Sequence, residues 1–318
     1  MTPSLNIHTH ARFKGIYSLK VTKVYSGIVV KDTGPFDNLI TYQGLDQIGN
    51  PPNYNLTGFF LNTHCAVGTG TTAPALTDAA LESPLAMYPP SAGSSVQGGS
   101  VSYVSGTPAY YRCIWTYTFP AGAATGNLSE VGVGGTLSGD TTPRLFSRAL
   151  IVDGSGVPTT ITVLADEALT VTYELRLYLD QTDTSYSFLI NSTSYSGIFR
   201  RAFIATAPLL YYSVQIGPFN QMYINTYNGT IGPITNGPTG TGGNGSAYSE
   251  MSQSAYVPGT YFRDFKRTIS LSNNNMNITA MLTTSPHGQW QFSVSPAIPK
   301  TSSVSLQLNW RQSWGFYP

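Results

Sequence analysis

The chain contains few charged residues. Lys, Arg, Asp and Glu make up 10% of its 318 residues, against about 25% in an average soluble domain. The 16 basic and 15 acidic residues nearly cancel. No net positive field is therefore available to attract nucleic acid, which is bound largely through neutralisation of its phosphates. The sequence predicts that nucleic acid is not a partner.

Cysteines and long apolar runs are scarce as well. Cys65 and Cys113 are the only cysteines, which excludes a disulfide framework and leaves one bridge or none. No stretch approaches the length of about 18 apolar residues that spans a bilayer, and no basic-plus-apolar leader opens the sequence. We therefore expect no membrane partner, and synthesis in the cytoplasm without a secretion signal.

Groups that commonly perform catalysis are sparse. His8 and His10 could share one face of a strand, but no carboxylate lies next to them in the sequence to complete a metal site. Asp166 and Glu167 are adjacent, so in a strand they point to opposite faces and cannot form a glycosidase pair by themselves. No nucleophile elbow or phosphate-binding loop occurs. The sequence predicts a protein that is not an enzyme, with no catalytic residue, metal or cofactor.

What the sequence does contain is the two-residue period of β-strands. Residues 169–180 alternate apolar with more polar side chains, and residues 304–311 repeat the pattern. Successive side chains of a strand point to opposite faces, so each pattern indicates a strand of an antiparallel sheet with one buried face. Helical signals are confined to residues 37–49 and 77–81. We predict an all-β fold with one or two short helices.

We predict two antiparallel β-sandwich-like domains, residues 1–185 and 186–318, that fold separately. Each range has its own set of alternating strands, and both short helices fall in the first. Residues 181–187 are polar, as a domain boundary should be. The second domain contains a Gly-, Asn- and Thr-rich loop at 228–246. Loops of this length are often binding segments or disordered, and the sequence leaves both open.

Aromatic side chains offer contact surface, since 21 residues are Tyr and aromatics are enriched in subunit interfaces and sugar-binding sites. The candidate interaction residues are Tyr223, Tyr227, Trp314, Phe316 and Tyr317. The first two lie close to the long loop in the sequence. The other three follow the last alternating stretch, and we expect them to lack cover and to serve assembly rather than folding. Ordinary packing within the strands is the alternative for each.

Four segments, in order, resemble structural proteins of tailed-bacteriophage virions. They are residues 36–49 (FDNLITYQGLDQIG), 65–81 (CAVGTGTTAPALTDAAL), 115–133 (WTYTFPAGAATGNLSEVGV) and 145–150 (LFSRAL). The first resembles the N-L-I-T-x-x-G-L-D opening of that family, and the second its V-G-T-G-x-x-x-P and T-D-x-x-L segment. The resemblance covers about residues 36–180. It implies a tail, collar, baseplate or fibre-associated subunit in the virion and supplies no catalytic residues.

These observations lead to one hypothesis and two alternatives. The leading hypothesis is a non-enzymatic structural subunit of a tailed-phage virion that assembles with copies of itself and with neighbouring virion proteins. Its low charge fits, because buried interfaces are depleted in Lys, Glu and Asp. The first alternative is a receptor- or carbohydrate-binding fibre module whose aromatic side chains stack on host surface glycan. The second is a head decoration protein, which differs only in location.

Overall fold

The computed structural model of the chain describes residues 4–49, 64–89, 100–135, 144–190, 192–206, 223–243 and 251–318. Their regular secondary structure is nearly all β-strand, which confirms the predicted all-β fold class. The one helix among them is α1 (Tyr42–Gly49). The strands in chain order are β1 (Ser4–Lys23), β2 (Val29–Asp37), β3 (Leu39–Ile40), β4 (His64–Gly68), β5 (Pro84–Tyr88), β6 (Ser100–Val104), β7 (Ala109–Phe119), β8 (Gly126–Leu128), β9 (Glu130–Gly135), β10 (Arg144–Leu150), β11 (Ile161–Val163), β12 (Glu167–Leu179), β13 (Thr184–Ile190), β14 (Thr193–Ala202), β15 (Tyr223–Tyr227), β16 (Gly242–Gly243), β17 (Met251–Gln253), β18 (Phe262–Ile269), β19 (Met276–Ser285), β20 (Gly288–Lys300) and β21 (Leu306–Phe316).

β1 is the central strand of the largest sheet. Its 20 residues are long enough to pair with three other strands. Along one side it runs antiparallel to β12 from Arg12 to Lys23. Along the other it runs parallel to β21 from Ser4 to Phe13 and then antiparallel to β2. The eight-stranded sheet has the order β17-β18-β21-β1-β12-β7-β6, with β2 also on β1.

One face of this large sheet, the inner face, is buried. In β12 the odd-numbered residues from 167 to 179 are buried and the even-numbered ones are partly exposed. In β21 the inner residues include Leu306, Leu308 and Trp310. Each fully buried side chain of this size contributes roughly 1.5–3 kcal/mol through removal from water. The strand predicted at 169–180 is confirmed, and the second pattern corresponds to β21, which begins two residues later than the pattern does.

Two smaller sheets cover the inner face, which makes the architecture sandwich-like. The five-stranded sheet β3-β10-β9-β4-β5 and the six-stranded sheet β13-β14-β20-β19-β15-β16 form this second layer, and β8 and β11 form a separate pair. Phe13 and Tyr17 share one face of β1 and show both contacts. The Tyr17 hydroxyl bonds to Ser147 Oγ of β10 at 2.8 Å, and the Phe13 ring meets that of His287, between β19 and β20, at 5.1 Å.

The large sheet crosses the predicted domain boundary. β1 and β12 come from residues 1–185, whereas β17, β18 and β21 come from residues 186–318. The two ranges therefore share one sheet instead of each closing a sandwich of its own. The physical reason is that β1 is longer than the strand it pairs with from the first range. β12 pairs with β1 only from Arg12 onward, and β21 pairs with the residues of β1 that come before it.

The long loop is folded where the structure describes it, over residues 228–243, while 244–246 lie outside the described ranges. The side chain of Gln291 in β20 is fully buried and lies under the loop. Its Oε1 accepts a bond from the Gly232 N–H at 2.8 Å. Its Nε2 donates to the Gly232 and Asn236 carbonyls at 3.0 and 3.2 Å. This amide holds the described part of the loop on the six-stranded sheet.

We expect the fragment 1–185 to be far less stable than the whole chain, because it leaves the β21 edge of β1 and part of the inner face exposed. Thermal unfolding followed by circular dichroism, together with size-exclusion chromatography, compares the fragment with the full chain. Adding fragment 186–318 in trans should restore stability. A monomeric 1–185 fragment that melts at the temperature of the full chain would show instead that the two ranges fold separately.

Candidate interaction surfaces

Three of the four segments that resemble phage structural proteins meet at one buried ion pair. Arg148 in β10 and Glu130 in β9 are 2% and 0% exposed, and Arg148 Nε donates to Glu130 Oε2 at 2.8 Å. The same guanidinium donates to Asp78 Oδ2 at 2.7 Å and to the Thr72 carbonyl at 3.1 Å. Three of the four resembling segments, 65–81, 115–133 and 145–150, thus contribute side chains or backbone to one cluster.

Glu130 also holds the loop between β4 and β5. Its Oε1 accepts bonds from the Gly70 and Ser83 N–H groups at 3.1 and 2.7 Å, and its Oε2 accepts one from the Glu82 N–H at 3.1 Å. A buried carboxylate that is paired and accepts several N–H bonds is well compensated for its loss of water. The cluster therefore positions a loop, and its polar atoms face one another rather than an open surface.

Trp314 is buried within its own chain, so the prediction that it lacks cover is wrong. Its side chain is 2% exposed. Its Nε1 donates to the Leu45 carbonyl of α1 at 2.9 Å, and its ring lies 5.7 Å from that of Tyr256. The physical reason is that β21 continues to Phe316, which places Trp314 on the inner face together with Trp310.

Phe316 and Tyr317 lie on opposite faces of the large sheet. Phe316 is half-buried and packs against the core, which corrects the expectation that it is uncovered. Tyr317 lies just past β21 on the outer face, where its ring stacks on that of Tyr178 with centroids 3.6 Å apart. Tyr317 is thus half-covered by its own chain, and it is the member of this group that faces outward.

Tyr223 and Tyr227 share one face of β15. They are half-buried, with Asn225 between them, while Ile224 and Thr226 on the opposite face are fully buried. Burial raises the pKa of the Tyr227 hydroxyl. The structure therefore brings these two predicted residues together on one face, and their part in any interaction stays a prediction.

The outer face of the large sheet carries a row of aromatic rings that the sequence does not reveal as a group. Tyr110 in β7, Tyr178 in β12 and Tyr317 have ring centroids 5.5 Å and 3.6 Å apart in that order. The Arg176 guanidinium lies 4.6 Å from the centroid of the Tyr110 ring. We call these three tyrosines the aromatic row. The row depends on pairing between distant strands, so local sequence gives no signal for it.

The same outer face holds a shallow groove of about 590 Å³ across β17, β18, β21 and β1. Polar side chains that bond to one another line it. Asn309 Nδ2 donates to Asn6 Oδ1 at 2.8 Å, and Arg311 donates two bonds of 2.7 Å to the carboxylate of Asp264. The groove therefore offers amide and charged groups on a flat strand surface.

The turn between β1 and β2 and the first residues of β2 expose five apolar side chains within seven positions, here called the apolar hairpin. Gly27, with φ of 68°, allows the turn, and its N–H bonds to the Lys23 carbonyl at 2.8 Å. The exposed fractions are 51% for Val24, 95% for Tyr25, 60% for Ile28, 46% for Val29 and 43% for Val30. Sequence analysis missed this surface, because a β-rich apolar stretch normally indicates core.

No protein-family model matches the chain, and neither curated proteins nor solved structures provide a match. Within the described ranges, no helix has the length and apolar character needed to cross a membrane.

His8 and His10 do share the outer face of β1. Across the part of the chain that the structure describes, however, no group of three or more His, Cys, Asp and Glu residues could hold a metal ion. Cys65 and Cys113 are both buried free thiols, which settles the question that the sequence left open. Burial raises the pKa of both thiols, that of Cys113 to about 12.

Glu130→Gln should lower the free energy of unfolding by about 3–5 kcal/mol, because it removes the fully buried carboxylate that pairs with the buried Arg148. Urea unfolding measures this change. The matched control is Asp32→Asn, which breaks the exposed ion pair with Lys20 (3.3 Å) and should cost at most about 1 kcal/mol. Equal effects of the two substitutions would contradict a structural role for the buried pair.

Trp314→Ala should destabilise the protein by about 3–5 kcal/mol, since it empties a buried aromatic site. Tyr317→Ala removes a half-exposed ring on the opposite face and should change stability by no more than about 1 kcal/mol. Thermal and urea unfolding of both variants test the pair. If Trp314→Ala unfolds like the wild type, the original expectation that the aromatic tail has no folding role would stand.

Proposed function

We propose that the chain is a non-enzymatic structural subunit of a tailed-phage virion, at the tail, collar or baseplate, that assembles with copies of itself and with neighbouring virion proteins. The observation that supports this proposal most directly is the apolar hairpin. The ordered resemblance of residues 36–180 to phage structural proteins agrees with it, as does the low charge of the chain.

The apolar hairpin suits assembly for two physical reasons. Exposed apolar side chains that lie close together in a chain offer surface for an interface, and each Å² of apolar surface buried there contributes roughly 25 cal/mol. The hairpin is also preorganised. Its turn is closed by backbone bonds between Lys23 and both Gly27 and Ile28, so little conformational entropy remains to be lost on binding.

The buried ion pair supports the same function indirectly. By fixing the loop from 69 to 83 on β9, Arg148 and Glu130 keep the five-stranded sheet and its connection rigid. A rigid subunit can repeat the same contacts in every copy of an assembly. The resembling segments thus serve the fold of the subunit, while the contacts with neighbours lie on surfaces outside that cluster.

Ile28→Asp should weaken self-association or incorporation into particles while leaving the melting temperature nearly unchanged, because Ile28 is 60% exposed and a charge there opposes burial in an interface. Light scattering after size exclusion gives the oligomer mass, and mass spectrometry of purified particles gives incorporation. Leu189→Asp is the matched control, since Leu189 is 67% exposed on the separate strand β13.

Two results would contradict the proposal. One is a chain that stays monomeric at high concentration and is absent from purified particles. The other is an Ile28→Asp variant that assembles like the control. Antibody labelling of particles in electron micrographs separates a tail, collar or baseplate position from a head position, where a decoration protein would use the same surfaces.

A receptor- or carbohydrate-binding module is the second candidate, and the aromatic row favours it. Tyrosine rings offer apolar faces with a polar edge, and the neighbouring groove carries amide groups that can bond to hydroxyls. A host-adsorption assay compares two candidate binding surfaces. The double variant Tyr110→Ala/Tyr178→Ala removes two of the three rings of the aromatic row, and Tyr223→Ala/Tyr227→Ala removes both tyrosines from the exposed face of β15. If adsorption is unchanged in both, this candidate is dropped.

A further inference from the structure

A small cleft lies where β1 passes the link from β12 to β13 and the end of β14. Its volume is about 160 Å³, and Arg201 and Trp290 form part of its wall. Ser313 and His10 line another part and bond to each other at 2.8 Å. At this point β12 no longer pairs with β1, because their ladder ends at Arg12. The cleft therefore lies beyond the end of the β1–β12 ladder, and side chains from several strands line it.

Arg201 lines this cleft, and its charge is incompletely compensated. The side chain is 2% exposed, and its guanidinium lies 3.9 Å from the centroid of the Trp290 ring. One terminal N–H donates to the His287 carbonyl at 2.7 Å. Its Nε finds no acceptor among the described residues, and no ion pair within 4.0 Å joins it to a carboxylate in those ranges. Burying a cation without such a partner is costly.

The carboxylates in and beside the cleft do not form an ion pair with Arg201. Asp180 is in the cleft wall, but its Oδ1 accepts bonds from the Thr182 N–H at 2.9 Å and hydroxyl at 2.6 Å. Asp183 is likewise occupied, because it pairs with Arg200 at 2.5 Å. Burial lowers the pKa of Arg201 to about 10, with Tyr111 and Asp180 opposing that shift. The guanidinium therefore stays charged at neutral pH.

We propose that this cleft binds the carboxylate group of a small ligand. Guanidinium groups donate in-plane bonds that match carboxylate oxygens, and such charge-assisted bonds are stronger where water is excluded. Arg201 is already desolvated and held by Trp290 and His287, so binding requires little reorganisation. The Thr184 hydroxyl in the lining supplies a further donor, whereas the Ser313 hydroxyl already donates to the Thr9 carbonyl at 3.2 Å. Because Asp180 carries a negative charge in the wall, a singly charged carboxylate fits better than a phosphate dianion.

Calorimetric titration of the full chain tests this proposal with acetate, glucuronate and phosphate at constant ionic strength. Acetate and glucuronate distinguish a free small carboxylate from a carboxylate on a sugar, and glucose is the uncharged control. We expect saturable binding of at least one carboxylate, weaker binding of phosphate, and none of glucose. Ligand binding is measured on the isolated chain, so its outcome is independent of the proposed role in a virion.

Variants locate the binding. Arg201→Gln should weaken it about tenfold or more, which corresponds to about 1.4 kcal/mol. If that variant does not fold, two other substitutions test whether the ligand binds in the cleft. Thr184→Trp fills the cleft from an exposed position, whereas Ser185→Trp adds the same ring at the next exposed residue of β13, outside the lining. Thr184→Trp should lose binding and Ser185→Trp should keep it.

Three results would overturn the inference. The first is the absence of saturable binding for both carboxylates. The second is a Thr184→Trp variant that binds as tightly as the wild type, which places the site elsewhere. The third is tighter binding of phosphate than of either carboxylate.

Discussion

The parallel pairing of β1 with β21 is the contact on which the rest of the structure depends. It joins Ser4–Phe13 to Gln307–Phe316 and so makes one sheet from strands at the two ends of the described chain. Through it Trp310 and Trp314 reach the inner face, where Trp310 meets Trp290 and Trp314 bonds to α1. Both covering sheets are anchored to strands that this pairing brings together.

The same pairing produces the outer face. β21 places Arg311 beside Asp264 and Asn309 beside Asn6, and it delivers Tyr317 to Tyr178. The outer face therefore presents hydroxyls, amides and charges that pair with one another, and these pairs produce little net electrostatic field. That agrees with a sequence in which acidic and basic residues are few and balanced. Such a surface lacks the excess of positive charge on which phosphate neutralisation of nucleic acid depends.

Local sequence patterns predict individual strands and helices, but they do not predict which strands pair. The alternation of 169–180 correctly predicts β12, and the apolar spacing before Gly49 correctly predicts α1, because both signals come from neighbouring residues. The sequence also predicts a helix at residues 77–81, and this prediction is wrong. The Asp78 carboxylate there accepts a bond from Arg148 of β10 at 2.7 Å, a contact between distant segments that local sequence does not reveal.

Nothing local indicates that β1 pairs with a strand about 300 residues away, so local patterns could not reveal that residues 1–185 and 186–318 contribute strands to one sheet. The same limit applies to the surfaces. Trp314 belongs to the core only because α1 covers it, and the aromatic row and the Arg201 cleft exist only where distant strands meet.

Disulfide trapping tests the β1–β21 pairing most directly. Asn6→Cys and Asn309→Cys place thiols at opposed positions of the parallel ladder, where neighbouring strands are about 4.8 Å apart, within bonding range. Asn6→Cys with Ser313→Cys is the control, since Ser313 lies four residues, or about 13 Å, further along β21. Cys65 and Cys113 are buried and should not compete. The structure predicts that only the first pair of cysteines oxidises rapidly to a disulfide, which mass spectrometry of unreduced peptides detects. Comparable crosslinking of both pairs, or of neither, would contradict the β1–β21 pairing.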